Sequence, residues 1–258
     1  MRIVVDQVGK QYAGPDGSPV TALENICLRI EEEEFVVLVG PSGCGKSTLL
    51  NMVGGLLAPS CGRIFVEGLA EDRDPSVGMV FQEVGLFPWR TVQENIGFGL
   101  EEAALSAEER QDRIRYHIEL VGLAGFENSY PHQLSGGMRQ RAGIARTLAI
   151  QPDLLLMDEP FSALDAQTRT LMQEELLRIW EQHRLSTLYV THNIQEAVYL
   201  ADRVVVLSRR PGRINSILTI ELPRRGRDGA EHLTRFNGYC DHIWTLIRKD
   251  AEEALREV

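Results

Sequence analysis

The chain has no long apolar run. None of its hydrophobic stretches approaches the ~18 residues that suggest a membrane-spanning helix, although hydrophobic residues make up 43% of its 258 positions. Cysteines are few and unpaired in spacing: Cys27, Cys44, Cys61 and Cys240 are scattered. That excludes a zinc ribbon, a C-x-x-C redox centre and a disulfide framework, and it fits a reducing compartment. Basic residues are outnumbered, 27 against 37 acidic, for a net charge of −10. Wholesale nucleic-acid binding depends on basic surface to displace counterions, so nucleic acid is not an expected partner. Nor does the start of the chain have a signal-peptide layout, because Asp6 interrupts the first apolar stretch. A cytoplasmic location is the expectation. Internal repeats and low-complexity segments are lacking as well.

What the chain does have is a series of short apolar, β-rich runs. They cover Ile3 to Val5, Ile26 to Ile30, Phe35 to Val39, Ile64 to Val66, Val77 to Phe81, Leu154 to Met157, Thr187 to Val190, Val204 to Leu207 and Ile217 to Ile220. Helical stretches fall between several of them, which predicts an α/β fold with a largely parallel core sheet. The early runs follow one another without helices and read as a small antiparallel β subdomain. Residues 91–150 lack a clear strand and are rich in helix formers, as in Glu101-Glu102-Ala103-Ala104; they read as a helical insertion. The expectation is one domain over 1–258. Its α/β core spans 1–90 and 151–215, its helical subdomain 91–150, and its tail 216–258, with a last helix from about Leu233 to Glu257.

Gly40-Pro41-Ser42-Gly43-Cys44-Gly45-Lys46-Ser47 follows the apolar run Phe35 to Val39 and precedes Thr48-Leu49-Leu50. A buried strand, a glycine-rich turn and a helix start are the context that a G-x-x-x-x-G-K-[ST] phosphate loop requires. Glycines let successive N–H groups turn toward phosphate oxygens, and the helix start adds unsatisfied donors and a positive dipole end. Lys46 would reach the β- and γ-phosphates, and Ser47 would hold Mg²⁺. Cys44 lies inside the loop, just before a helix start and two residues from Lys46. Both features favour a thiolate, so Cys44 is expected to be alkylated readily, with nucleotide protecting it.

Leu154 to Met157 ends in Asp158-Glu159. Acids at a strand's C-terminal end sit where open α/β sheets bind ligands. Asp158 suits the Mg²⁺ shell, and Glu159, turned to the other side, suits a general base. Leu134-Ser135-Gly136-Gly137-Met138-Arg139-Gln140-Arg141 opens another helix, with Ser135 a good N-cap and two glycines exposing backbone donors.

With that segment the chain resembles the nucleotide-binding subunit of an ATP-binding-cassette (ABC) transporter, from Ile3 to about Ile214. Ser135, Gly136, Gly137 and Met138 match the family's signature motif, Gln82 its glutamine loop and Ser162-Ala163-Leu164-Asp165 its D-loop. His192 matches the switch histidine and Tyr12 the adenine-stacking aromatic. The resemblance implies an ATPase with ATP and Mg²⁺ as cofactors. Two such subunits, as a homodimer or a mixed pair, pack head to tail. ATP on one phosphate loop, Gly40 to Thr48, is then covered by Ser135 and Gly137 of the other. Catalysis falls to Glu159, His192 and Gln82, with Asp165 assisting the facing histidine; Mg²⁺ falls to Ser47, Gln82 and Asp158.

Leu86-Phe87-Pro88-Trp89, and the stretches around Asp158 and Arg209, are similar to the nitrate/sulfonate/taurine branch of bacterial importers. That implies a peripheral subunit at the cytoplasmic face of the membrane. Phe87 and Trp89 would contact a transmembrane permease, and a periplasmic or extracellular solute-binding protein would be an indirect partner. Asn193 departs from that branch, which commonly has aspartate after the histidine; an altered charge or cap is expected there. Arg209-Arg210 and Arg224-Arg225-Gly226-Arg227 read as solvated basic turns. An exporter ATPase and a soluble iron–sulfur assembly-type ATPase are the alternatives. A DNA-repair or chromosome ATPase would need long heptad repeats, and the insertion is too short for them.

Overall fold

The computed structural model describes residues 1–14, 17–69, 73, 75–224, 227 and 229–256, with 249–251 and 253–256 described by backbone alone. The chain divides into two compact units, Met1–Asp74 with Ser186–Val258, and Pro75–Leu185. This division differs from the expected subdomain limits at 90 and 150.

In the first unit, β1 (Arg2–Ala13), β2 (Pro19–Ile30) and β4 (Cys61–Glu67) form an antiparallel sheet in the order β2-β1-β4. β1 and β2 run well past the short apolar runs that announced them. Register shifts between Val5 and Val8, and again on to Gln11, break the alternation by which strands are read. β3 (Phe35–Val39) has all five residues buried. It pairs in parallel with β7 (Ser186–Val190) on one side and β8 (Arg203–Leu207) on the other. Strands covered on both faces read as continuous apolar runs, which is why these were visible. β9 (Ile214–Thr219) adds an antiparallel edge beside β8. Helices α1 (Lys46–Val53), α6 (Ile194–Leu200) and α7 (Leu233–Arg256) complete this unit. Glu257, where the tail helix was expected to end, lies outside the described residues.

The second unit holds a parallel pair, β5 (Val77–Val80) and β6 (Leu154–Asp158). With them are α2 (Val92–Gly97), α3 (Ala107–Leu120), α4 (Gly136–Ala149) and α5 (Ala166–His183). Thr91 with Glu94, and Ser106 with Glu109, form capping boxes that start α2 and α3. Among the described residues, no helix is long and apolar enough to cross a membrane.

One sequence expectation is corrected in the first unit. Arg227 is not in a solvated basic turn; it is 1% exposed. Its Nη1 donates to the carbonyls of Val198 (2.9 Å), Tyr199 (3.1 Å) and Ala201 (2.6 Å), and its Nε to Pro223 (3.1 Å). A helix leaves its last carbonyls without intrahelical partners, and Arg227 supplies them at the end of α6. Burial pushes its pKa down to about 10, so it stays cationic at neutral pH. Arg224 pairs with Asp202, whose carboxylate also accepts from Phe35 N–H (2.9 Å) at the start of β3. Arg225 and Gly226 lie outside the described residues.

Candidate functional site

In the first unit the site grows from the strand register. Leu38 of β3 pairs with Val190 of β7. Gly40 and His192 stand two residues beyond that pair, so the phosphate loop and the histidine leave adjacent parallel strands at the same level. His192 is exposed. Behind it, Asn193 is the N-cap of α6 and accepts from Glu196 N–H (3.2 Å). Asparagine therefore keeps the capping oxygen that aspartate would offer, without its charge.

The loop itself closes on Gly45, which has φ 100° and is the N-cap of α1. Its missing Cβ is needed twice. The left-handed backbone disfavours other residues, and a Cβ would stand 2.6 Å from Leu23 Cδ2. No side chain caps α1, and its first turn holds no acid. Lys46 is buried, and its ammonium donates to the carbonyls of Gly40 (2.9 Å) and Pro41 (3.1 Å). A bare helix start with a cation held at its rim is suited to a polyphosphate. Ser42, Gly43 and Ser47 are exposed, and Pro41 and Thr48 are half-buried. Tyr12, on β1, presents a ring that is 40% exposed, with Lys10 Nζ 5.4 Å from its centroid.

The second unit repeats the register device. Val80 of β5 pairs with Met157 of β6, so Gln82 and Glu159 lie at the same level two residues beyond. Gln82 is exposed, and Asp158 and Glu159 are half-buried. Glu159 has φ 44°, uncommon for a residue with a Cβ. The extended line of β6 therefore ends at Asp158, and the chain bends at Glu159. Ser162 holds the turn by donating from N–H (3.1 Å) and Oγ (2.9 Å) to the Glu159 carbonyl.

Ser135 caps α4 as expected, its Oγ accepting from Met138 N–H (3.3 Å). Ser135 and Gly136 are exposed, while Gly137 is buried and Met138 half-buried. Asp165 is the N-cap of α5. One carboxylate oxygen accepts from Thr168 N–H (3.0 Å) and the other from Thr168 Oγ1 (2.7 Å). These bonds lower its pKa.

A family model described as ABC transporter matches residues 23–162, more than half of the chain. The chain belongs to the ABC transporter family. An uncharacterised ABC transporter ATP-binding protein of Methanocaldococcus jannaschii is 52% identical over 93% of this chain and 90% of its own length. The nitrate import ATP-binding protein NrtD of Synechocystis is 46% identical over 98% of both chains. The aliphatic sulfonates import ATP-binding protein SsuB of Bacillus cereus is 45% identical over 86% of this chain and 88% of its own. Among solved structures, a dimeric post-hydrolysis state of an ATP-binding cassette with ADP and Pi bound is similar. Its TM-score is 0.73 at 33% identity, and the match covers 85% of this chain and 99% of that one. This ABC chain is thus an ATP-binding subunit and an ATPase.

Two features of the ABC subunit differ from the sequence reading or add to it. Cys44 is 1% exposed, its Sγ 3.9 Å from Lys46 Nζ under the loop. Ready alkylation is therefore not what the structure supports, because the thiol is shielded from bulky reagents. Phe87 and Trp89 pair ring to ring, 5.6 Å between centroids, but differ in exposure. Phe87 is half-buried against Phe98, 4.5 Å between centroids, whereas Trp89 is 71% exposed. Their loop is held by Asn95, which sequence reasoning passed over. Its Nδ2 donates to the carbonyls of Phe87 (3.2 Å), Arg90 (3.0 Å) and Thr91 (2.9 Å), and its Oδ1 accepts from Phe87 N–H (2.8 Å). Arg146 braces the loop's near side by donating to the carbonyls of Val84 and Gly85 (2.8 Å each). A polar residue between Val92 and Ile96 of a short helix was the available signal for Asn95.

Proposed function

We propose that this chain works as one of two ATPase subunits that drive an importer of a small anion at the cytoplasmic face of a membrane. The observation that carries the reading is the bare, glycine-led start of α1 with Lys46 at its rim. Two copies, or this chain with a paired ATPase subunit, meet head to tail. ATP held by Gly40 to Thr48 of one is covered by Ser135, Gly136, Gly137 and Met138 of the other, and Tyr12 stacks on adenine. Similarity to a dimeric cassette with ADP and Pi supports the arrangement.

Glu159 orients or deprotonates the attacking water from the turn that follows β6. His192 contacts the γ-phosphate, with Asp165 of the facing chain beside it. Ser47, Gln82 and Asp158 would hold Mg²⁺. Among the described residues no group of three or more His, Cys, Asp or Glu gathers for a metal. Such a sparse set of hydroxyl, amide and carboxylate oxygens fits a hard ion that takes its other ligands from phosphates and water. When bound, the ion neutralises charge on the phosphates.

Phe87 and Trp89 form the contact with the permease, and an external solute-binding protein joins only through it. The relatives named for nitrate and for aliphatic sulfonates are about equally similar, 46% and 45% identical. That supports an importer of small anions and leaves solute choice to the permease and binding protein.

Glu159→Gln tests the reading. It should keep ATP affinity, slow hydrolysis by about 10²-fold or more, and trap an ATP-dependent dimer on size exclusion. Hydrolysis at the wild-type rate would sink the assignment.

A further inference from the structure

We propose that Thr168 is a positioning residue that sets the signature motif from the segment carrying Glu159. The inference rests on the reading that Ser135 and Gly137 serve a partner's nucleotide. Its starting point is a close approach. A Cβ placed on Gly137 would stand 3.0 Å from Thr168 Cγ2, well inside the ~3.5–4.0 Å optimum for carbon pairs. Gly137 is therefore bare on the side where α5 begins, and the Thr168 methyl is seated against it. One step earlier the fit is ordinary, with a Cβ on Gly136 3.6 Å from Leu164 Cδ2. Ser135, Gly137 and Thr168 border one cavity of about 530 Å³.

Thr168 is itself held from both ends. Its N–H and Oγ1 engage the two carboxylate oxygens of Asp165 at 3.0 and 2.7 Å. Arg169 ties the same turn backwards, donating from Nε to the Phe161 carbonyl (3.3 Å) and from Nη2 to that of Leu164 (2.8 Å). Ser162 closes the last gap to the Glu159 carbonyl. Residues 159–169 thus form one braced segment, with the catalytic carboxylate at one end and a methyl against Gly137 at the other. Glu159 works on the nucleotide of its own chain, and Gly137 on that of the partner.

The test moves a methyl across the contact. Full-length wild type, Gly137→Ala, Thr168→Ser and the double variant are compared by kcat, KM and ATP affinity at the phosphate loop of the monomer. Thr168→Ser loosens the joint and should lower kcat about threefold, and Gly137→Ala wedges it and should lower kcat about tenfold or more. Both should leave monomer ATP affinity unchanged, and the double variant should recover to within about threefold of wild type because total volume is conserved. A double variant as slow as the product of the singles overturns the proposal. If Gly137→Ala does not fold, Thr168→Ser alone decides, and an unchanged kcat overturns it. Ser135→Arg is the control. Turnover by that variant would refute the shared-site reading itself, whereas its inactivity alongside multiplicative singles would refute only the role of Thr168.

Discussion

The helices α1 and α4 both begin in glycine-rich sequence, yet they begin differently. α1 starts from a left-handed Gly45 with no side-chain cap. α4 starts from an extended Ser135 whose Oγ accepts from Met138 N–H. A missing cap commonly costs about 1 kcal/mol, so a bare start is a local weakness unless something else meets its donors. In α1 a ligand of this chain can meet them, with Lys46 held nearby. α4 satisfies one donor internally and needs no ligand to form. On the function proposed above, the two helix starts serve different moments: α1 binds phosphate in its own chain, and α4 waits ready-made for a partner's.

Damaging each start in turn separates the two. Lys46→Ala deletes a charge-assisted contact worth about 1.5–3 kcal/mol, so monomer ATP affinity should fall about 10- to 100-fold in equilibrium binding. Ser135→Arg should leave that affinity unchanged and abolish turnover. Mixing the two variants gives dimers with one doubly damaged site and one intact site, so some activity should return. If Ser135→Arg weakens ATP binding to the monomer, the two starts are not functionally distinct.

A capped end elsewhere sharpens the same point. Arg227→Met strands several carbonyls at the end of α6 and should cost about 3 kcal/mol, read as a lower midpoint in urea. ATP affinity of the remaining folded monomer should be retained, since this cap serves stability; a selective loss of binding would contradict that.

The smallest effect concerns Cys44. Native protein treated with maleimide should be labelled at the exposed Cys27 and Cys61, with Cys44 labelled only after denaturation. Prompt labelling of Cys44 in peptide maps would mean that the loop opens far more than its packing suggests.

Much of this was legible from residues alone. Phe35–Val39 and Leu154–Met157 are covered on both faces, so burial wrote itself as unbroken apolar runs. Ser135 and the phosphate loop were readable because capping and tight turns are local. What escaped was set by contacts distant in sequence. Arg227 sits among charged residues, and its acceptors come from Val198 to Ala201 as well as its own neighbourhood. Gly212, distant in sequence, comes so near the phosphate loop that a Cβ there would stand 2.0 Å from the Cys44 carbonyl oxygen. The long β1 and β2 were masked by bulges.

The Asn95 brace has a consequence for the subunit on its own. Because Asn95 fastens the loop on both flanks of Trp89, the indole is displayed in an ordered setting rather than on a wandering loop. On the permease contact proposed above, ordering it would cost a docking partner little conformational entropy. The same order leaves a large apolar side chain facing water in the chain alone, an exposure that favours self-association.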